Sequence, residues 1–258
     1  MTAAIEIDNL SATYPDGTQV LHDVTFQIEP GERVALLGPN GAGKTSLALH
    51  LNGILGTSRG SSRTGRIAIN GLVVTTKTVH EIRRRVGVVF QDPDDQLFTP
   101  RVRDDVAFGP ANLGLRGDEL DKRVREALLD VDMLESIDRP PHHLSYGQKR
   151  RVAVATVLAM HPDVLVLDEP STNLDPTSRR ELADVLRRLD LTMLMITHDL
   201  PYALELCDRA IILDSGRVVA DGSITEILSD SELLRRHRLE LPYGFSPPSS
   251  PPLPLPAG

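Results

Sequence analysis

The sequence predicts an α/β fold: a mostly parallel core sheet flanked by helices, with an N-terminal antiparallel β subdomain and a helical subdomain inserted into the frame. Three observations carry that expectation. Short runs such as "RVALLG" (33–38), "VLVLDE" (164–169) and "TMLMIT" (192–197) are largely apolar along their whole length, as strands covered on both faces must be. The first of them ends in a glycine-rich turn and hands over to helical text, the order of a strand–loop–helix unit. Between "VVF" at 88–90 and "VLVLD" at 164–168 the text reads as mostly helical, so helices interrupt the α/β frame.

In chain order, "AIEIDNLSATY" (4–14) and "VLHDVTFQI" (20–28) read as the opening strands. After "RVALLG" comes a helix over "SLALHLNG" (46–53), then strands over "RIAIN" (66–70) and "VGVVF" (86–90). The insertion, roughly 92–162, runs from "VRDDVAFG" through "DELDKRVREALLDV" to "GQKRRVAVATVLAM". Gly109, Pro110, Gly114, Gly117, Pro140 and Pro141 break it into several short helices. "VLVLDE", "TMLMIT" and "RAIILD" (209–214) return to strand text. Residues 1–240 therefore read as one globular unit. From 241 to 258 seven prolines exclude a helix or a central strand, and a disordered or polyproline tail is expected.

A chain of 258 residues, 40% hydrophobic and 25% charged, can bury a substantial core. Its net charge of -8 argues against a protein that grips a nucleic-acid backbone, which needs a basic field. One cysteine, Cys207, excludes an internal disulfide framework and fits a reducing compartment. The start "MTAAIEIDNL" lacks the succession of a signal peptide, and the longest apolar run, "VAVATVLAM" (152–160), is far short of a membrane span. A cytosolic chain is expected, with any membrane role supplied through a partner.

"GPNGAGKT", running Gly38, Pro39, Asn40, Gly41, Ala42, Gly43, Lys44, Thr45, matches G-x-x-x-x-G-K-[ST] in full and sits between strand and helix. The glycines let the backbone turn its N–H groups inward to phosphate oxygens, Lys44 reaches the β and γ phosphates, and the Thr45 hydroxyl serves Mg²⁺. "VLVLDEP" emerges from a buried strand into two acids. Asp168 can hold Mg²⁺, and Glu169 can take a proton from an attacking water. Adjacent acids also end ordinary strands; beside a phosphate loop they read as catalytic. Kinases, GTPases, helicases and transport ATPases all use these parts, and the absence of N-K-x-D weighs against a GTPase.

A further stretch, "LSYGQKRR" (144–151), places Ser145 at the start of a helix and itself contains no histidine, cysteine or acid to make it a nucleophile. A helix start offers free N–H groups and partial positive charge, so its guest is an anion.

"LSYGQKRR", "VLVLDEP", "STNLDP" (171–176), "THD" (197–199) and "QDPDDQLF" (91–98) together resemble the ATP-binding cassette (ABC) ATPases, over nearly all of residues 1–240. The resemblance implies a P-loop ATPase in which two chains, identical or homologous, sandwich two ATP molecules head to tail. Ser145 and the Gly147 backbone would then receive the γ-phosphate held by the partner. Tyr146 departs from the family pattern, L-S-G-G-Q, and the resemblance tolerates it if its side chain points away from the phosphate. Tyr14 resembles the aromatic that stacks on adenine, and Gln91 the glutamine that touches Mg²⁺ and water and senses the transport partner. Asp175 resembles the loop acid that crosses the dimer, and His198 the residue bridging γ-phosphate and Glu169. His142 and His143 take no role, and Arg83–Arg85 reads as a solvated helix face.

Within that family, "VVFQDPDDQLFTPRVRDDVAFGPANLGL" (88–115) resembles the energy-coupling-factor importers, especially those of cobalt and nickel. That likeness implies a peripheral subunit on the cytoplasmic face of the cell membrane, with a transmembrane coupling subunit and a substrate-capture membrane subunit as partners and no nucleic acid. Asp92, Asp94 and Asp95, with Leu97 and Phe98, would line the groove for a helix of the coupling subunit. The alternatives are energy coupling for a vitamin, or a soluble non-transport ATPase of the family.

Overall fold

The computed structural model describes residues 2–57 and 62–245. The proline-rich tail beyond Phe245 lies outside the described residues. Two sheets carry the fold. Strands β1 (Ile5–Thr13), β2 (Gln19–Ile28), β4 (Ser62–Ile69) and β5 (Leu72–Val73) form an antiparallel sheet in the order β2-β1-β4-β5. The second sheet contains β3 (Arg33–Leu37), β6 (Val86–Val89), β7 (Val164–Asp168), β8 (Thr192–Ile196), β9 (Arg209–Asp214) and β10 (Arg217–Ser223), in the order β10-β9-β3-β8-β7-β6. Its pairs are parallel except for the β9–β10 hairpin at one edge.

The central strands are apolar along most of their length because each serves two cores. Ala35, Leu37, Leu165, Leu167, Met193 and Met195 face one cluster, while Val34, Leu36, Val164, Val166, Leu194 and Ile196 face the other. The antiparallel sheet and α1 (Lys44–Leu51) complete the second cluster, whose further members include Ile82 of α2 (Val79–Arg85). The first cluster joins the core sheet to α3 (Val102–Asn112), α4 (Gly117–Asp130), α5 (Tyr146–Leu158), α6 (Pro176–Arg188), α7 (Leu200–Leu206), α8 (Ile224–Ser229) and α9 (Ser231–Arg236). Helices α3 to α5 occupy the segment between β6 and β7 that sequence reads as helical and are separate, but Gly109 and Pro110 do not break it: both lie inside α3, close to its end, and the breaks come at Gly114 and around Pro140 and Pro141.

Among the described residues no helix is long and apolar enough to cross a membrane. The arrangement matters for the site because β3, β7 and β8 are adjacent and parallel. Their carboxyl ends therefore bring the loops after Leu37, Asp168 and Ile196 to one crevice, the place where open parallel sheets receive ligands.

Candidate active site

The loop after β3 is built by glycine. Gly43 sits at φ +101°, and a Cβ there would stand 2.8 Å from the carbonyl oxygen of Val20. That combination admits only glycine and brings the loop close under the β2 strand. Lys44, at the first turn of α1 and 8% exposed, turns its ammonium back on the loop, donating to Gly38 O at 2.7 Å and Pro39 O at 3.0 Å. An ammonium has three donors, so one proton remains for a phosphate oxygen. Burial pulls the Lys44 pKa down, opposed by the charges of Glu169 and Asp168.

Across the crevice, Thr45 Oγ1 donates to Asp168 Oδ2 at 2.9 Å. Asp168 is 5% exposed, and burial first, with the neighbouring Glu169 charge, raises its pKa while the Thr45 bond and Lys44 lower it. Glu169 is also buried and is held at φ +47° by its N–H bond to Ile196 O. A left-handed conformation costs a non-glycine residue roughly 1–2 kcal/mol, and such strain concentrates at working sites. Its Oε1 lies 2.9 Å from His198 Nδ1, and its Oε2 accepts from Thr197 Oγ1 at 3.3 Å and from His198 N at 3.4 Å. The imidazole leaves Nε2 free and is well exposed. Asp199 steadies this turn: it caps α7 through Tyr202 N and accepts from Ser171 Oγ and Arg179 Nη2, each at 3.0 Å.

Lys44, Thr45, Asp168, Glu169 and His198 share one cleft of about 360 Å³ with Tyr14, Val20, Asn40, Gly41, Ala42, Gly43, Ser46 and Gln91. Tyr14 is fixed there by a 2.6 Å hydrogen bond between its hydroxyl and Ser46 Oγ, a partner that sequence reading missed because it lies 32 residues away. An aromatic face, a nest of N–H groups with a lysine, a carboxylate–hydroxyl pair and a carboxylate–imidazole pair suit, in that order, a base, a polyphosphate, a hard cation and a water to be deprotonated. The oxygen donors of Thr45, Asp168 and Gln91 fit Mg²⁺, which binds through one or two carboxylates and keeps several waters.

Ser145, Gly147 and Asp175 are not in that cleft. Gly147 and Asp175 both touch Ser178, and Ser145 lies two residues before Gly147. Ser145 caps α5 in a reciprocal box, accepting from Gln148 N at 3.2 Å while its own N–H bonds Gln148 Oε1 at 3.0 Å. The hydroxyl proton is left for an anion, together with the N–H groups of the first helical turn. Asp175 caps α6, accepting from Thr177 N, Ser178 N and Ser178 Oγ, and these bonds hold its carboxyl below the usual range. Gly147 is pressed onto the same turn: a Cβ there would stand 2.4 Å from Ser178 Oγ. So the glycine is demanded by packing within the chain.

The loop after β6 carries a further surface, and here the sequence expectation needs correction. Leu97 is only 7% exposed and belongs to the core, so it does not line a groove. Phe98, 64% exposed, stands edge-on to Phe108, 52% exposed, with ring centroids 5.1 Å apart. Buried Asp105 holds this arrangement, accepting from the N–H groups of Phe98 and Thr99 at 3.0 Å. Phe108 went unnoticed in the sequence, where nothing in "VAFG" marks its ring as exposed beside Phe98.

Comparison with known proteins agrees with this geometry. The family described as ABC transporter matches residues 21–172. A provisionally named ABC transporter ATP-binding protein of Streptomyces coelicolor is 63% identical over 247 residues, covering 96% of this chain and 93% of that one. The energy-coupling factor transporter ATP-binding protein EcfA of Carboxydothermus hydrogenoformans is 49% identical over 245 residues, covering 94% and 88%. Among solved structures, CbiO1 of Clostridium perfringens, described as part of the ABC transporter complex cbiONQ, superposes with a TM-score of 0.80 at 38% identity, covering 94% of this chain and 97% of that one. With more than half its length matched, and with a phosphate cradle facing a carboxylate–imidazole pair, the chain belongs to the ABC transporter family and is an ATPase of that family.

Proposed function

We propose that this chain is the ATP-hydrolysing subunit of an energy-coupling-factor importer, with cobalt or nickel ions as cargo, working as a head-to-tail dimer at the cytoplasmic face of the membrane. Residues 1–240 form the ATPase unit, with 92–162 as its helical subdomain. The observation that carries the reading is the separation of the two anion-receiving surfaces: the cleft around Lys44 and the tip of α5 at Ser145 do not meet within one chain. A second chain, turned head to tail, brings the tip of its α5 to the cleft, and charge compensation from both sides then holds the triphosphate.

In the closed dimer, Tyr14 stacks on adenine, the loop Gly38–Thr45 binds the phosphates, and Thr45, Asp168 and Gln91 hold Mg²⁺. The ion, when bound, neutralises charge on the β and γ oxygens. Glu169 takes the proton of the attacking water, and its bond to His198 Nδ1 keeps that carboxylate oriented. The partner's Ser145 hydroxyl and first-turn N–H groups donate to the γ-phosphate, and Asp175 crosses beside them. The importer class rests on the EcfA relative, the CbiO1 likeness and the text of 88–115. The cargo rests on that text alone. The exposed Phe98–Phe108 pair, with Asp94, Asp95 and Asp104 beside it in sequence, suits an apolar helix with basic flanks from a transmembrane subunit.

Glu169→Gln tests the scheme. ATP affinity by calorimetry is expected to stay within about twofold, turnover to fall by at least about a hundredfold, and an ATP-dependent dimer to accumulate in light scattering. Hydrolysis by wild-type chain whose specific rate does not change on dilution, with only monomers in solution, would refute the dimer.

A further inference from the structure

Arg150 is 0% exposed, and its acceptors are not carboxylates. Its Nη1 donates to Phe90 O at 2.7 Å, and its Nη2 donates to Gln91 O and, at 3.3 Å, to the Tyr146 hydroxyl. Its Nε is buried without a partner. A buried cation is costly to take out of water, and an apolar side chain of similar volume commonly packs as well or better. What only the guanidinium fork supplies here is a grip on two consecutive carbonyls.

The same peptide is held from its other side. Gln96 Oε1 accepts from Phe90 N at 3.2 Å, while its amide donates to Ala153 O at 2.9 Å and Thr156 Oγ1 at 2.7 Å. Lys149 Nζ adds a 2.7 Å ion pair to Asp94. Residues 146, 149, 150, 153 and 156 recur at helical spacing, so one face of α5 is fastened to the segment 90–96 along three turns. Tyr146 belongs to this face. Its ring lies 5.5 Å from the Arg150 guanidinium carbon, turned back along the helix, which explains how α5 accommodates tyrosine where the family pattern has glycine.

We propose that Arg150 is a positioning residue that locks Gln91 to the tip of α5, so that the placement of Gln91 in its own chain's site and the reach of Ser145 to the partner's site are mechanically coupled. The inference rests on the proposed dimer. It adds that the two composite sites complete together, because each chain's Arg150 ties a group serving one nucleotide to a group serving the other.

The test compares full-length wild type, Arg150→Lys, Arg150→Met and Gln96→Met in steady-state ATP hydrolysis, ATP-binding calorimetry and thermal melting. Wild type is expected to hydrolyse ATP with a Hill coefficient above one. Lysine keeps the charge but not the fork, so Arg150→Lys should bind ATP within about twofold of wild type, lose about tenfold to a hundredfold in kcat, and lose the cooperativity. Gln96→Met, which leaves Arg150 in place, should move both in the same direction by less, and it serves if Arg150→Met fails to fold. Wild-type kcat and Hill coefficient in Arg150→Lys would overturn the proposal. So would a loss of ATP affinity and melting temperature in parallel with kcat, which marks a merely structural role. Non-cooperative, dilution-independent hydrolysis by wild type would instead remove the dimer itself.

Discussion

Asp168→Asn is expected to make the chain more stable and less useful. Asp168 is 5% exposed, next in sequence to buried Glu169, while the ammonium of Lys44 is engaged by the carbonyls of Gly38 and Pro39. Burial is the first cause of its raised pKa, above the ordinary 3.8. The unfolded chain therefore releases this proton at lower pH than the folded chain does. Stability on this account is full below the unfolded value and declines as pH rises through the folded one, so at neutral pH the ionised carboxylate is a standing cost. Asparagine has nearly the same shape, can still accept from Thr45 Oγ1, and carries no charge to desolvate. The gain expected of Asp168→Asn is about 0.5–2 kcal/mol, the size of an ordinary stabilising substitution. For a chain of this size each kcal/mol moves Tm by roughly 2–4 °C. MgATP should invert the order, since a ligand at a hundred times its Kd stabilises wild type by about 2.7 kcal/mol, and the variant has lost its anionic metal ligand. Melting at neutral pH with and without MgATP reads both effects. A variant less stable than wild type without nucleotide, or one given an equal shift by MgATP, would refute the reasoning.

Two other substitutions probe neighbouring parts of the argument. Lys44→Ala removes the ammonium that lines the cleft and should weaken ATP binding by at least about tenfold in calorimetry, as loss of a charge-assisted bond of about 1.5–3 kcal/mol implies; unchanged affinity would discredit the phosphate cradle. Gly147→Ala places a methyl 2.4 Å from Ser178 Oγ and 2.5 Å from Ser178 Cβ, and should cost about 1–3 kcal/mol by overpacking in chemical denaturation. Adding Ser178→Gly should return part of it, whereas strict additivity of the two changes would show that they do not touch.

What sequence reading reached and what it missed divide along a physical line. The strands of the parallel sheet were legible because two-sided burial makes them nearly unbroken apolar runs, as in "VLVL" (164–167) and "MLMI" (193–196). Edge strand β10 was not, because its half-exposed text "RVVADGS" has neither a clean alternation nor an apolar run. The phosphate loop was legible because its eight residues are contiguous and their chemistry is carried by backbone and glycine. The grip of Arg150 on Phe90 and Gln91 spans 60 and 59 residues, and in the text it is one more basic residue after "LSYGQ". The Tyr14–Ser46 bond, across 32 residues, escaped for the same reason, whereas the Phe98–Phe108 pair escaped because exposure of a phenylalanine is decided by packing and not by its neighbours in sequence.

Ser145 is the opposite case. The sequence showed a helix start fit for an anion, and the structure adds that the cleft of the same chain is elsewhere. A capped helix whose hydroxyl proton and first N–H groups remain undirected within the chain is not a defect of folding, since water satisfies exposed donors at little cost. It becomes a functional statement only because Gly147 and Asp175 are rigidly braced through Ser178 beside it. Holding such a tip in one shape ahead of contact reduces the ordering cost of the encounter, so the bracing is what a surface needs if its guest arrives on another chain.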